Sequence, residues 1–467
     1  MNMGEKGSGR ERDAVLAAIA ANREFFLAGG RDSVRRRREM LRHMLDFLRA
    51  NRDKVYSALN ADLHKSQFEA AMTEFMPACD ALRFMIRNLP RFAKPKRAGV
   101  SMLNFPARGR IVAEPYGQVL VFATWNYPLL LALEPAAGAL AAGNRVVLKL
   151  PEKSQRTTQF LLWMVEECFP NGEMIAVHSE LGFDELLNEK FDYIFFTGGE
   201  AAGRRVYEAA ARTLTPVTLE LGGKSPCIVC RGADLALAAK RIAWGKFTNA
   251  GQTCIAPDYL LVQHEVRETF LLELRRRIRE FYGDDPVNNS DYPWIIDEKQ
   301  YERLAKLADH GRLVAGGERN PNRFCIAPTV IDGITWEDPL MEHEIFGPIL
   351  PVMEFYSEED LFSKLKGRPK PLALYCFGGS RAFRKMLLET TSSGAVVFDD
   401  VVMHFISPGL PFGGVGASGI GRYHGKYTFD TFTHYKPVMK QSTLVDWPVR
   451  YPPFTGWKRK LMSFLTR

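Results

Sequence analysis

The chain has 467 residues, 46% hydrophobic, 11% aromatic and 25% charged, the balance of a folded globular protein, which excludes disorder and collagen-like repeats. Its length leaves room for two or three domains, each large enough to bury a core. Lys plus Arg is 62 and Asp plus Glu 54, a net charge of +8; the excess is slight and dispersed, and no nucleic-acid partner is expected.

Met1 to Asp13 is polar and charged with no apolar run, so no signal peptide is expected. Residues 13 to 95 carry apolar side chains at helical spacing, for example Leu41, Met44, Leu45 and Leu48, and the helices are expected to end at Pro90 and Pro95. The basic run Arg35 to Arg38 lies inside this pattern and reads as a solvated helix face. After Pro106 short β-rich runs alternate with helical ones. Strands are predicted at Val119 to Phe122, Arg145 to Leu150, Met174 to His178 and Tyr193 to Phe196, with helices at Leu129 to Ala142, Thr157 to Cys168 and Phe183 to Asn188 between them. Such alternation predicts an α/β fold with a doubly wound parallel sheet that binds a nucleotide.

A second α/β series is predicted from Thr218, with strands near Pro226 to Val229, Tyr259 to Val262 and Ile349 to Phe355 and helices near Leu235 to Phe247 and Arg267 to Tyr282. Gly283 to Ser290 is read as a polar loop, and Phe412 to Gly425 is glycine-dense and also loop. The longest apolar stretch, Val119 to Ala142, is broken by Asn126, Pro128, Glu134 and Pro135, so no membrane span is predicted. The last segment, Trp457 to Arg467, reads as an exposed basic helix that does not exclude peripheral membrane contact.

The seven cysteines, at 79, 168, 227, 230, 254, 325 and 376, argue against a disulfide scaffold and for a reducing, cytoplasmic location. Cys227 and Cys230 form a CxxC, but they sit in an apolar run read as strand core, with no second CxxC to complete a zinc site; no metal is expected. Cys254 differs. It stands in Asn249-Ala250-Gly251-Gln252-Thr253-Cys254, where small and polar neighbours hold the thiol on a turn, the access a nucleophile needs. Glu220 closes the run Val217-Thr218-Leu219 ahead of Gly222-Gly223 and can serve as a general base with room for a water.

Two glycine segments compete for a phosphate. Gly414-Val415-Gly416-Ala417-Ser418-Gly419 spells GxGxxG but follows no strand and opens no helix. Thr197-Gly198-Gly199-Glu200 joins a strand to the helix predicted over Ala201 to Leu214, a turn that offers free N–H groups and a helix dipole to a pyrophosphate. Lys149 and Glu152, at the end of the strand Arg145 to Leu150, suit ribose hydroxyls.

Six segments in one order, Trp125-Asn126-Tyr127-Pro128, Phe196-Thr197-Gly198, Leu219 to Lys224, Gly251 to Cys254, Glu344-Ile345-Phe346-Gly347-Pro348 and Pro411 to Gly416, make the chain resemble the aldehyde dehydrogenase superfamily, and its class 3 branch through Ala256-Pro257-Asp258-Tyr259 and Arg422 to Lys426. The resemblance implies Cys254 as nucleophile, Glu220 as base and Asn126 as oxyanion donor. It places Lys149, Glu152, Gly198, Gly199, Glu344 and Phe346 on the coenzyme, and Tyr127, Trp244 and His424 along the substrate tunnel. It implies oxidation of medium or long aliphatic, or aromatic, aldehydes with NAD, with NADP also accepted, in a homodimer. Its parts would be a nucleotide-binding domain over 1–217, a catalytic domain over 218–426 and a C-terminal segment over 427–467 that forms a small β bridging arm with residues near 104–115. Two rivals stay open, a coenzyme A-acylating enzyme and a catalytically retired fold that serves as a binding protein.

Overall fold

The computed structural model describes residues 3–465. Met1, Asn2, Thr466 and Arg467, which end the two terminal segments read above, lie outside the described residues. Five parallel strands form one sheet in the order Val217–Glu220, Tyr193–Thr197, Gln118–Phe122, Arg145–Lys149, Met174–Val177. The first strand in sequence, Gln118–Phe122, lies in the middle with later strands on both sides. This is the doubly wound order, and its ligand crevice opens beyond the carboxyl ends of the strands at that reversal. The glycine-dense segment supplies a sixth, antiparallel strand, Gly419–Ile420, against Val217–Glu220.

These strands are short and apolar except near their ends because helices cover both faces. Gln118–Phe122 is buried at every residue, and so is the helix Leu130–Ala142 that follows it. That helix is apolar nearly all round, as a fully buried helix must be. It packs between the sheet, the N-terminal helices and a short helix Lys426–Thr431, whose Thr428 methyl lies where a side chain at Gly138 would stand.

The second sheet has seven strands, Arg312–Ala315, Thr329–Asp332, Ile349–Phe355, Tyr259–Gln263, Pro226–Val229, Ala373–Phe377 and Ala395–Phe398, all parallel except the first. The boundary expected at 217/218 cuts the strand Val217–Glu220, which hydrogen-bonds to Tyr193–Thr197 in the first sheet; the second sheet starts at Pro226. A third, antiparallel sheet joins Lys96–Ala98, Arg108–Pro115 and Thr433–Lys440. The helix Met76–Phe92 runs through Pro90 and ends two residues later than its proline suggested. A proline so near a carboxyl end forfeits one backbone bond without breaking the helix. Among the described residues no helix is long and apolar enough to cross a membrane.

Candidate active site

The strand ends converge on a cavity of about 410 Å³ whose wall includes Asn126, Tyr127, Gly198, Gly199, Glu220, Trp244, Cys254, Glu344 and Phe346. Asn126 follows the central strand by four residues, Glu220 ends the outer one, and Gly198 follows the strand between them. Lys149, Glu152 and His424 are not on this wall.

Cys254 is held by an unusual backbone. After the helix Leu235–Phe247 the chain takes the left-handed conformation three times in succession, at Asn249 (φ 55°), Ala250 (φ 51°) and Gly251 (φ 72°). Two of these are not glycine, and each costs on the order of 1 kcal/mol or more. At Gly251 a Cβ would stand 2.2 Å from the Gly347 carbonyl oxygen, so only glycine fits. Gln252, fully buried, pins the turn: its amide donates to the Asn249 and Trp294 carbonyls and accepts from the Ile296 N–H, each at 3.0 Å. Asn249 is fixed from outside as well, since its backbone N–H donates to Glu69 Oε1 at 2.8 Å.

Asn126 is locked to this turn. Its Nδ2 donates to the Gln252 carbonyl at 3.0 Å, which leaves its second amide hydrogen for a ligand. Its own carbonyl accepts from Asn249 Nδ2 at 2.8 Å and from Lys65 Nζ at 3.2 Å. Lys65 is in turn paired with Glu74 at 2.6 Å, both side chains wholly buried. Glu74 reaches inward from Ala71–Phe75, one turn of π-helix, and also accepts the Leu129 N–H at 2.8 Å. Such π turns recur at functional sites because the extra residue re-aims a side chain. Tyr127 closes the group, with its hydroxyl 2.6 Å from Thr253 Oγ1 and its ring under the Lys65 ammonium.

The charges are poised. Burial, then the Glu344 and Glu220 carboxylates, push the Cys254 thiol up, while the backbone N–H groups of Cys254 and Ile255 favour its thiolate. Glu220 is buried, and neither carboxylate oxygen has a protein partner. Burial, reinforced by the Glu134 charge, raises its proton affinity well above the usual carboxylate range. Glu344 is likewise pushed up to about 8, by burial first and then by Asp258. Its carboxylate sits against Gly222, where a Cβ would stand 1.9 Å from Oε2.

The opposite end of the cavity is a cradle for an anion and a ring. Gly199 caps the helix Glu200–Thr213 in an extended conformation, with open space where its side chain would be. Phe346 adopts φ 48° and meets Trp125 edge-on with centroids 5.4 Å apart. Lys149 donates to the His178 carbonyl, and Glu152, exposed, lies 3.8 Å from its ammonium. Free N–H groups at a helix N-terminus, a carboxylate and an aromatic face suit a dinucleotide in the switch-point crevice.

Gly414 to Gly419 does other work: Gly419 pairs with Glu220 and the Leu221 N–H donates to the Ser418 carbonyl at 3.1 Å, so the segment borders the sheet. His424 turns its ring to Glu134, with Nδ1 2.7 Å from Oε1, and Tyr423 lines the cavity beside it. Sequence reading had not picked out Lys65, Glu69, Glu74, Glu134, Asn249 or Gln252 as part of the site. The visible signal for Glu134 is a lone charge in an apolar helix, and for Asn249 and Gln252 their place in the segment before Cys254; for Lys65, Glu69 and Glu74 none stands out, since charges in a helical region read as solvated faces.

Sheet and cavity together define the class, a doubly wound α/β protein with a crevice suited to a dinucleotide. The chain belongs to the aldehyde dehydrogenase family, whose family model matches residues 5–438. It is 42% identical over 438 residues to human aldehyde dehydrogenase family 3 member B1, covering 92% of this chain and 93% of that one. It is 38% identical over 448 residues to the 4,4'-diaponeurosporen-aldehyde dehydrogenase of Staphylococcus aureus, covering 95% and 97%. A solved substrate-bound state of Staphylococcus aureus AldH superposes with a TM-score of 0.94 at 37% identity, covering 97% of this chain and 99% of that one. The protein is therefore an aldehyde dehydrogenase, an enzyme of a family that uses NAD or NADP.

Proposed function

We propose that the enzyme oxidises medium or long aliphatic, or aromatic, aldehydes to carboxylic acids through a covalent bond to Cys254. The observation that carries the reading is the common wall that brings the Cys254 thiol, the spare amide hydrogen of Asn126 and the unpartnered carboxylate of Glu220 together. Cys254 gives its thiol proton to water and attacks the aldehyde carbon as the thiolate, and the oxyanion of the resulting thiohemiacetal takes hydrogen bonds from Asn126 Nδ2 and the Cys254 N–H. The coenzyme, when bound, supplies the hydride acceptor that converts this adduct to a thioester. Glu220 then takes a proton from the water that attacks the thioester, and the Cys254 sulfur leaves. Because Glu220 must first be ionised, its raised proton affinity makes hydrolysis fall off on the acid side above the ordinary carboxylate range.

Gly198 and Gly199 would hold the pyrophosphate, Glu344 and Phe346 the nicotinamide ribose and ring, and Lys149 and Glu152 the adenosine ribose. A carboxylate at Glu152 suits free ribose hydroxyls and favours NAD; being exposed, it can swing aside for the 2′-phosphate of NADP. The cavity wall includes the apolar Leu130, Leu131, Trp244, Met403 and Phe405, which supports an uncharged hydrocarbon chain. Tyr127 and Trp244 are on the wall; His424 is not, and its ring packs against Phe405, which is. A homodimer is part of the proposal, supported by the exposed apolar side chains Phe105, Met439 and Trp447 on and beside the three-stranded arm.

The test is a panel of aldehydes assayed with NAD and NADP. Reduced nicotinamide in one-to-one ratio with carboxylic acid, independent of coenzyme A, is expected. An absolute requirement for coenzyme A would favour the acylating reaction, and no reduced coenzyme on any aldehyde would overturn the proposal. Light scattering at micromolar protein should give twice the 52.8 kDa chain mass; a monomer would remove the dimer.

A further inference from the structure

Glu134 is the single charged residue of the 13-residue helix Leu130–Ala142, every residue of which is buried. A buried carboxylate costs free energy unless it is paired. Its partner is His424, which comes from the glycine-dense loop at φ 82°, with its N–H donating to the Thr428 hydroxyl at 2.8 Å and its ring against Phe405. The pair uses one atom from each side. Glu134 Oε2, His424 Nε2 and both oxygens of Glu220 are buried with no protein partner. Helix, loop and sheet edge thus leave four strong polar atoms unpartnered, and Tyr423, the neighbour of His424, lines the same cavity as Glu220.

We propose that Glu134 and His424 are a positioning pair that sets the proton affinity of Glu220, and with it the pH at which thioester hydrolysis begins. The proposal rests on the reading of Glu220 as the base. The groups that face Glu220 are Glu134 from the helix, Tyr423 from the loop, Tyr193 from the adjacent strand and Cys254 from the left-handed turn. Of these Glu134 is the other carboxylate, and its charge opposes ionisation of Glu220. His424 tempers that charge. Burial works against its cationic form, yet the Glu134 carboxylate leaves the imidazole above its ordinary value, while burial, then His424, holds His404 down to about 4. The two members therefore act on Glu220 with opposite sign.

That opposition is the test. Acyl-enzyme is formed on the full-length protein with a p-nitrophenyl ester, without coenzyme, freed of excess ester and followed by mass spectrometry as the acyl group is lost across pH 5 to 9. Glu134→Gln keeps the shape and removes the charge, so the acid limb of hydrolysis should move down by about one pH unit, roughly tenfold faster below the limb. His424→Gln leaves the Glu134 charge untempered, so the limb should move up. A purely structural pair would slow acylation and leave the limb where it is, or move both variants the same way; either result overturns the proposal. Glu220→Gln separates the two readings. If it hydrolyses the thioester as fast as the native enzyme, the base assignment falls and the pair's role with it. If it stops hydrolysis while the other two variants leave the limb unmoved, the pair's role alone falls.

Discussion

The end of the cavity proposed for the coenzyme rests on regular elements, and the thiol end on strain. Gly198, Gly199 and Lys149 stand where strands stop, and their positions follow from the doubly wound order alone. Cys254 follows three left-handed residues, held by Glu69, Gln252 and the Lys65–Glu74–Asn126 chain from parts of the fold far apart in sequence. The difference teaches a division of labour: strand ends give a cofactor a place, while a strained turn, over-determined by buried polar bonds, aims a reactive atom.

Substitutions can break that division, beginning at the thiol. Cys254→Ala should abolish aldehyde oxidation, a loss of at least about 10⁴-fold, while coenzyme binding by fluorescence titration stays within a few-fold. Loss of both would show that the two ends are not independent. Glu220→Gln should give a rapid burst of reduced nicotinamide, close to one per active site, followed by a steady rate about 10²- to 10³-fold lower; an undiminished steady rate would place the base elsewhere. Gly251→Ala sharpens the strain argument. The new Cβ meets the Gly347 carbonyl at 2.2 Å, so a cost of about 1–3 kcal/mol in unfolding experiments is expected, with kcat reduced and coenzyme affinity unchanged. The smallest effect belongs to the regular end: Glu152→Gln should improve kcat/KM with NADP relative to NAD by roughly tenfold or less, measured as a ratio on one aldehyde.

The same division governs what sequence could reveal. Helix and strand patterns place Leu235–Phe247, Pro226–Val229 and Ile349–Phe355 with their observed ends. Thr329–Asp332, Ala373–Phe377 and Ala395–Phe398 escaped because four or five residues, buried throughout in the first two and half-buried throughout in the third, carry no alternation to distinguish strand from helix. Cys254 and Glu220 stood out through their glycine neighbours. The pairing of Lys65 with Glu74, and of Glu134 with His424 across 290 residues, did not, because a charge that faces inward looks in sequence like one that faces water. Only the apolar company of Glu134 in Leu130–Ala142 betrays it.

The loop that imitates a nucleotide fingerprint has a protective consequence. Val217–Glu220 would otherwise end the sheet, offering an open row of backbone donors and acceptors beside the Glu220 carboxylate, ready to template pairing with another chain. Gly419 (φ 145°), whose Cβ would stand 2.2 Å from the Leu219 carbonyl oxygen, lets Gly419–Ile420 close over that row. A side chain there would lift the hem, and aggregation on storage or heating, more than any change in chemistry, is how the damage would first be noticed.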